Sequence, residues 1–298
     1  MSYRIVRIAN LYKEYINNYY LKNPDVSHLD YNTQQQNLIN DSVEIASSYN
    51  KYLRKLGVDA IDIISNADHL QQKWLTDHNL SPNISFFELI IEQLKYYKPD
   101  IVWIDDTRLL NKDWIKELRI KVPSLRLVVG HICAPFNALI ADSLSSFDIM
   151  FNCAPFMQKK FLEMGLNTHS IYHSFDHSLL NIIENDTKFV NNDFIFTGSL
   201  YTGFGLHKTR IEYLEKFVSE KINISVYGNV ESRYRIFQKQ SMYLLINTLK
   251  SLGLEGKLES LPYLRKYSKY GDDKIKYYSK ELLDSIKPPV FESSNSLE

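Results

Sequence analysis

Short apolar runs alternate along the first half of the chain with longer stretches that repeat at helical spacing. The apolar runs are rich in Val and Ile, end at turn residues and are predicted as strands at residues 3–9, 58–64, 100–104, 125–130, 147–151 and 168–173. Helices are predicted at residues 33–56, around Leu70, Trp74 and Leu75, and at 85–97, 112–121 and 155–164. The Tyr- and Asn-rich residues before the first helix are predicted as a loop. Apolar strands that alternate with helices are typical of a parallel sheet covered on both faces.

The pattern starts again after a polar, Asn-rich linker at residues 179–192. Strands are predicted at 194–197 and 224–227, and helices at 206–219, 232–252 and 272–285. Because a doubly wound domain normally has four or more strands, this second domain is predicted to be incomplete. The sequence therefore predicts an α/β protein with two Rossmann-like domains, at residues 1–183 and 184–291, and an unstructured tail at 292–298.

Composition narrows the functional class. The 298 residues suffice for two cores, and 44% apolar with 23% charged residues is ordinary globular composition. Thirty-five basic residues balance thirty-five acidic ones, so no net field favours nucleic acid, and membrane association is expected to be at most peripheral. Two cysteines, Cys133 and Cys153, are too few for a disulfide framework and suit a reducing cytosol. With no signal region and no apolar run of membrane-spanning length, a cytoplasmic protein is expected.

Residues 192–210, NDFIFTGSLYTGFGLHKTR, contain the clearest candidate for a binding site. A strand ends at Gly198-Ser199, and a helix then opens with Lys208 and Arg210. Glycines allow close backbone approach, and a helix start with cations attracts phosphate. Ordinary turn chemistry and a solvated helix face remain the alternative. The segment is not a P-loop, because Phe204 stands where lysine is required, and no GxGxxG points to a nicotinamide enzyme.

Seven short motifs, in this order and spacing, resemble the GT-B glycosyltransferases. They are LQQKW at 70–74, YKPDIV at 97–102, FDIMF at 147–151, HSFD at 173–176, FTGSL at 196–200, HKTR at 207–210 and VYG at 226–228. The chain is most similar to the spore-maturation-protein (CgeB-like) glycosyltransferases of bacterial polysaccharide clusters. Family members continue with the rest of a donor-binding domain, including an acidic residue for the ribose. The resemblance therefore implies a C-terminally truncated enzyme.

The resemblance also implies a reaction. A sugar would pass from a nucleotide-diphosphate sugar, acting as co-substrate, to a glycan or lipid-linked acceptor in cell-surface polysaccharide synthesis, with no bound metal or other cofactor. Two alternatives stay open: a non-catalytic remnant that only binds sugar or glycan, and a sugar-nucleotide epimerase with the same fold. Like the transferase interpretation, both alternatives rest in part on analogy with proteins of the same fold.

The candidate site residues are chosen by their position after predicted strands. The catalytic candidates, one of which would deprotonate the acceptor, are Asp105, Asp106 and His131. A turn capped by Asp106-Thr107 and an ordinary loop histidine are the structural alternative. The acceptor-side candidates are Asn10, Tyr12, His173 and Asp176, and the donor-phosphate candidates are Gly198, Ser199, Lys208, Arg210, Tyr227 and Gly228.

A zinc site is the remaining alternative. Its ligands would come from His131, Cys133 and Cys153 together with the histidines at 169, 173 and 177. The cysteines lack CxxC spacing, and the histidines run from a strand face into a loop. The sequence therefore predicts no metal.

Overall fold

A computed structural model describes residues 3–42, 45–105, 111–133, 138–172, 176–180, 193–202, 208–254 and 275–287. The chain divides into two compact units, one within Met1–Thr187 and the other within Lys188–Val290. Most of the predicted linker and all of the predicted tail lie outside the described residues, so the predicted domain boundaries stay a prediction.

The first unit is built on a six-stranded sheet. Its strands are β1 Arg4–Ala9, β2 Asp59–Ile64, β3 Ile101–Ile104, β4 Leu127–His131, β5 Ile149–Asn152 and β6 Thr168–Ser170. Every pairing is parallel, and the strand order is β2-β1-β3-β4-β5-β6. The predicted parallel α/β sheet is thus confirmed. The order reverses between β1 and β3, and in open parallel sheets ligands bind at the carboxyl ends of the strands beside such a switch point.

Helices connect these strands. They are α1 Lys13–Lys22, α2 Tyr31–Asp41, α3 Ile45–Lys55, α4 Asp68–Asp77, α5 Phe86–Tyr97, α6 Lys112–Lys121, α7 Ala138–Leu144 and α8 Pro155–Glu163, with a 3-10 turn at Pro24–His28. The predicted single helix at 33–56 is wrong, because α2 ends at Asp41 and Ser42 is extended. The predicted loop before it contains α1, whose buried face is mostly tyrosine: Tyr15, Ile16, Tyr19 and Tyr20.

Polar caps fix where several elements begin. The Ser85 hydroxyl accepts a hydrogen bond from the Glu88 N–H, and the Glu88 carboxylate accepts one from the Ser85 N–H, which forms a capping box at the start of α5. Lys98 ends α5 in a left-handed conformation, with φ of 50°. The carboxamide of Asn111 caps α6. The helix α5 is thus capped at Lys98, shortly before β3 begins at Ile101.

The central strands are buried on both faces. Val6 and Ile8 lie on one face of β1 and join a core that includes Val102, Ile104 and Val128. A second cluster contains Ile64, Leu70, Trp74 and the tyrosines of α1 and α2. Burial on both faces explains why the strands were recognisable as near-continuous apolar runs.

The second unit has a smaller parallel sheet. Its strands β7 Phe194–Thr197, β8 Ile224–Tyr227 and β9 Ile286–Lys287 pair in that order, with helices α9 Lys208–Ser219, α10 Arg233–Ser251 and α11 Lys280–Ser285. Two strands were predicted, and β9 is a short third. The helix predicted at 272–285 is confined to α11, whose first turn is capped by Ser279. A separate core forms around Leu200, Leu214, Val226, Ile236 and Leu282.

Across the described parts of both units, no helix combines the length and the hydrophobicity that crossing a bilayer requires.

Candidate functional site

An acid–imidazole pair lies at the edge of the first sheet where the strands end. Asp105 follows β3, and His131 closes the neighbouring strand β4. The Nδ1 atom of His131 lies 3.0 Å from Oδ1 of Asp105, and the two side chains are 13% and 18% exposed. A carboxylate that accepts from Nδ1–H leaves the lone pair of Nε2 available as a base. The structure thus brings together two of the three predicted catalytic residues. Asp106 lies outside the described residues.

Aromatic rings flank this pair. Trp103 on β3 lies 6.3 Å from the His131 ring, and Tyr49 of α3 packs on Trp103 at 5.0 Å, both measured between ring centroids. The guanidinium of Arg7 lies 5.2 Å from the centre of the Tyr49 ring. Arg7 is fully buried and its Nε donates to Asp62 over 2.8 Å. Such rings restrict water around the carboxylate and imidazole.

Two pKa shifts report on this environment. Burial raises the pKa of Tyr49, the nearby carboxylate of Asp105 raises it further, and Arg7 opposes both. Tyr49 therefore keeps its hydroxyl proton at neutral pH. Burial also raises the pKa of Asp62, against the lowering effect of Arg7. The buried arginine thus offsets only part of the cost of removing that carboxylate from water.

Asn10, one of the predicted acceptor-side residues that follow β1, ties two loops together. Oδ1 of Asn10 accepts a 2.5 Å hydrogen bond from the Ser65 hydroxyl. Next to it, Asn66 accepts from the Leu11 N–H over 3.1 Å and donates to the Leu11 carbonyl over 2.6 Å. These bonds fix the chain that leaves β1 at the switch point. Tyr12, just before α1, is 64% exposed.

Asp176 forms a separate cluster with α3. Its carboxylate accepts from the Tyr52 hydroxyl at 2.7 Å, from the Ser178 N–H at 2.9 Å and from Nζ of Lys51 at 3.3 Å. Partial burial works against ionisation, yet these hydrogen bonds lower the pKa of Asp176 well below its usual range. Because α3 also carries Tyr49, one helix serves both the Asp176 cluster and the surroundings of Asp105. His173 lies outside the described residues.

The structure pairs Cys133 with Cys153 as a disulfide, which the sequence analysis did not expect. Strand register explains the pairing. His131 on β4 is paired with Phe151 on β5, so each cysteine lies two residues beyond a paired position. Their Cα atoms are 5.5 Å apart, within the range of disulfides. The sulfur of Cys133 also lies 3.2 Å from Nε2 of His131.

The predicted donor-phosphate residues gather where the strands of the second sheet end. Gly198, with φ of 154°, follows β7, and a Cβ placed on it would lie 3.6 Å from Nη1 of Arg210. A Cβ on Gly228, which follows β8, would lie 2.4 Å from the carbonyl oxygen of Gly198. Only glycine permits this approach of two backbones. Gly198, Arg210 and Gly228 are therefore brought together, with Ser199 in the same turn.

The backbone N–H groups of these glycines are already used. Gly198 donates to the Tyr227 carbonyl over 3.0 Å, and Gly228 donates to the Lys287 carbonyl over 3.3 Å. The other groups here that could attract an anion are cationic side chains. Lys287, at the end of β9, places Nζ 5.3 Å from the centre of the Tyr227 ring and donates to the Ser225 hydroxyl over 3.1 Å.

Sequence reasoning missed Lys287 because β9 is only two residues long. The available signal was the proline that follows it, which favours an extended conformation at residue 287. Lys208 is the first residue of α9. Its role as a phosphate contact stays a prediction.

A buried carboxylate anchors the turn after β7. Glu231 accepts from the Thr202 N–H over 2.7 Å and from its hydroxyl over 2.6 Å, and Nζ of Lys239 lies 2.5 Å from the other oxygen. Lys239 also donates to the Thr202 carbonyl over 2.6 Å. Burial opposes ionisation, but these donors lower the pKa of Glu231. The network fixes the segment that carries Gly198 and Ser199.

In the parts of the chain that the structure describes, no three His, Cys, Asp or Glu side chains are grouped as metal ligands. Cys133 and Cys153, two of the candidate zinc ligands, are bonded to each other instead.

The chain is similar to the crystal structure of a glycosyltransferase from Rickettsia africae ESF-5, at 13% sequence identity and a TM-score of 0.39. The match covers 97% of this chain and 69% of the other. At that level the similarity carries no inference about activity. No family model matches the chain, and no curated protein matches it.

Proposed function

We propose that this chain belongs to a glycosyltransferase that moves a sugar from a nucleotide-diphosphate sugar to a glycan or lipid-linked acceptor in cell-surface polysaccharide synthesis. The observation that carries the proposal is the Asp105–His131 pair at the carboxyl end of a parallel sheet. The resemblance of the seven sequence motifs supports the same reaction class. No bound metal is invoked.

The first chemical requirement is a base for the acceptor hydroxyl. In an inverting displacement the hydroxyl oxygen attacks the anomeric carbon, and its proton must leave during attack. In this proposal His131 accepts that proton at Nε2. Asp105 holds the Nδ1–H tautomer and stabilises the imidazolium that forms. The Tyr49 and Trp103 rings pack on each other, with Trp103 beside the His131 ring.

The second requirement is stabilisation of the departing nucleoside diphosphate. Arg210 and Lys287 supply positive charge beside Gly198 and Tyr227, respectively. Charge-assisted contacts to phosphate oxygens suit this leaving group. In this proposal Lys208 adds a further cation at the start of α9, and Ser199 a hydroxyl.

Calorimetric titration with UDP, GDP and their sugars tests the donor assignment. Arg210→Ala and Lys287→Ala are each expected to weaken nucleotide binding by about tenfold, the loss of one charge-assisted phosphate contact. Lys216→Ala is the matched control, because Lys216 lies near the other end of α9 with its side chain 68% exposed. Equal binding by all three variants would remove the phosphate assignment.

Product analysis separates the alternatives. Nucleotide binding with release of nucleoside diphosphate supports transfer. Conversion of the sugar nucleotide without any acceptor would indicate an epimerase. Glycan binding without nucleotide binding would indicate a non-catalytic binding module and would contradict the proposal.

A further inference from the structure

The acid–imidazole pair continues into a third group that the proposed sugar chemistry does not use. Oδ1 of Asp105 lies 3.0 Å from Nδ1 of His131, and Nε2 of His131 lies 3.2 Å from Sγ of Cys133. The three side chains form a line of carboxylate, imidazole and sulfur. A cysteine beside an imidazole that is oriented by a carboxylate is the arrangement that activates a thiol as a nucleophile.

A second cysteine lies within reach of the first. The parallel register of β4 and β5 carries Cys133 and Cys153 out of the sheet side by side, and both residues are partly exposed. The N–H of Ile132 donates to the Phe151 carbonyl over 3.1 Å, which holds the two exit segments together. The register of the two strands therefore brings Cys133 and Cys153 to the same place, with their Cα atoms 5.5 Å apart.

We propose that Cys133 is a reactive, reversibly modified thiol, with Cys153 as its resolving partner and a low-molecular-weight organic disulfide as the oxidant. His131 takes the thiol proton at Nε2, and the Cys133 thiolate attacks one sulfur of the organic disulfide. The S–S bond of the oxidant breaks, and one thiol leaves. Cys153 loses its proton and attacks the sulfur of Cys133, which expels the second thiol. Two protein thiols become one disulfide, and one organic disulfide becomes two thiols.

Only two cysteines occur in the chain, so single substitutions isolate each thiol. Reduced Cys153→Ser protein presents Cys133 alone, and reduced Cys133→Ser protein presents Cys153 alone. At neutral pH, iodoacetamide is expected to alkylate Cys133 about tenfold faster than Cys153, because the imidazole raises the thiolate fraction. Equal rates, or a faster Cys153, would overturn the proposal.

The imidazole dependence is tested on the Cys153→Ser background. Adding His131→Gln should reduce the alkylation rate to that of Cys153 and remove the ultraviolet absorbance of the thiolate. Asp105 is a positioning residue here, so Asp105→Asn should lower the same absorbance by a smaller amount. Unchanged absorbance in both variants would contradict the proposed activation even if the alkylation rates differed.

Oxidised glutathione tests the resolving step without altering His131. Reduced wild-type protein should end as the internal disulfide and carry no glutathione by mass spectrometry. Cys153→Ser protein should instead retain one glutathione on Cys133. Stable glutathione on the wild-type protein, or none on the variant, would overturn the proposal. None of these measurements uses a sugar nucleotide, so their outcome is independent of the proposed transferase activity.

Discussion

The two sheets differ in the side chains that lie where their strands end. Where the strands of the first sheet end, the side chains are a carboxylate, an imidazole and aromatic rings, centred on Asp105 and His131. Where the strands of the second sheet end, there are two closely packed glycines, with Arg210 beside Gly198 and Lys287 beside Tyr227. The first arrangement suits proton transfer, and the second suits binding of an anion. Two units that are both built on parallel sheets thus carry different groups where their strands end.

The largest expected effect separates proton transfer from nucleotide binding. Asp105→Asn should slow release of nucleoside diphosphate from the sugar nucleotide by about a hundredfold or more, because His131 loses its orienting carboxylate. Calorimetry should show unchanged nucleotide affinity. Asp142→Asn, an exposed carboxylate of the same unit, is the control. Normal turnover by Asp105→Asn protein, or loss of its nucleotide binding, would contradict this separation of proton transfer from nucleotide binding.

The next effect concerns the stability of the second unit. Glu231→Gln should lower its free energy of unfolding by about 3 kcal/mol, since Lys239 would lose its buried partner. All three tryptophans belong to the first unit, so the unfolding transition seen by tryptophan fluorescence should not change. Circular dichroism, which also reports on the second unit, should show unfolding at a lower denaturant concentration. Glu220→Gln removes a carboxylate that is 54% exposed, 3.9 Å from Lys216, and should change little. An equal loss in both variants would contradict the anchoring role of Glu231.

A smaller effect tests the glycine contact. Gly228→Ala should cost about 2 kcal/mol, because its methyl group would meet the Gly198 carbonyl and force the two loops apart. Nucleotide binding should weaken with it. Gly57→Ala serves as control, since its surroundings are open and only its φ of 79° opposes a side chain. Denaturant titration measures both. Full nucleotide affinity in Gly228→Ala protein would show that the two loops bind the anion without this contact.

The smallest effect depends on pH. The folded-state pKa of Asp176 is lowered, so its contribution to stability is complete above the unfolded pKa of about 4 and is lost as pH falls through the folded value. Asp176→Asn should cost about 1 kcal/mol at pH 7 and almost nothing in strong acid. Denaturation followed by tryptophan fluorescence at several pH values measures this. A cost that does not change with pH would contradict the assignment.

Much of the fold could be predicted because the sheet of the first unit is buried on both faces. Its strands are apolar runs with clear ends, and the capping box at Ser85 and Glu88 marks α5 in the sequence. The helix α1 was not predicted because its buried face is mostly tyrosine. Tyrosine rings fill a core, but their hydroxyls remain polar, and Tyr15 donates to Asp41 over 2.8 Å. The strand β9 has only two residues, too few to show the alternation of apolar and polar positions that marks a strand.

The candidate site was only partly predictable. Placement after strands selected Asp105 and His131, which meet because β3 and β4 are neighbours. Tyr49 and Lys51 come from α3, far from these residues in sequence, and no local pattern could place them. The cysteine pair depends on the register of β4 and β5, which residue types alone do not specify.

The position of β1 also governs how the protein can be made. Arg4 of β1 pairs with Asp59, and Ile5 pairs with Ile101, so β1 emerges before both of its partner strands, which lie far along the chain. Until the ribosome has released β3, one edge of β1 stays open with Val6 and Ile8 uncovered. Long-range parallel pairing is slow, and open apolar edges recruit other chains. Folding during synthesis therefore cannot complete the centre of the first sheet until β3 has emerged, and release before that point favours aggregation.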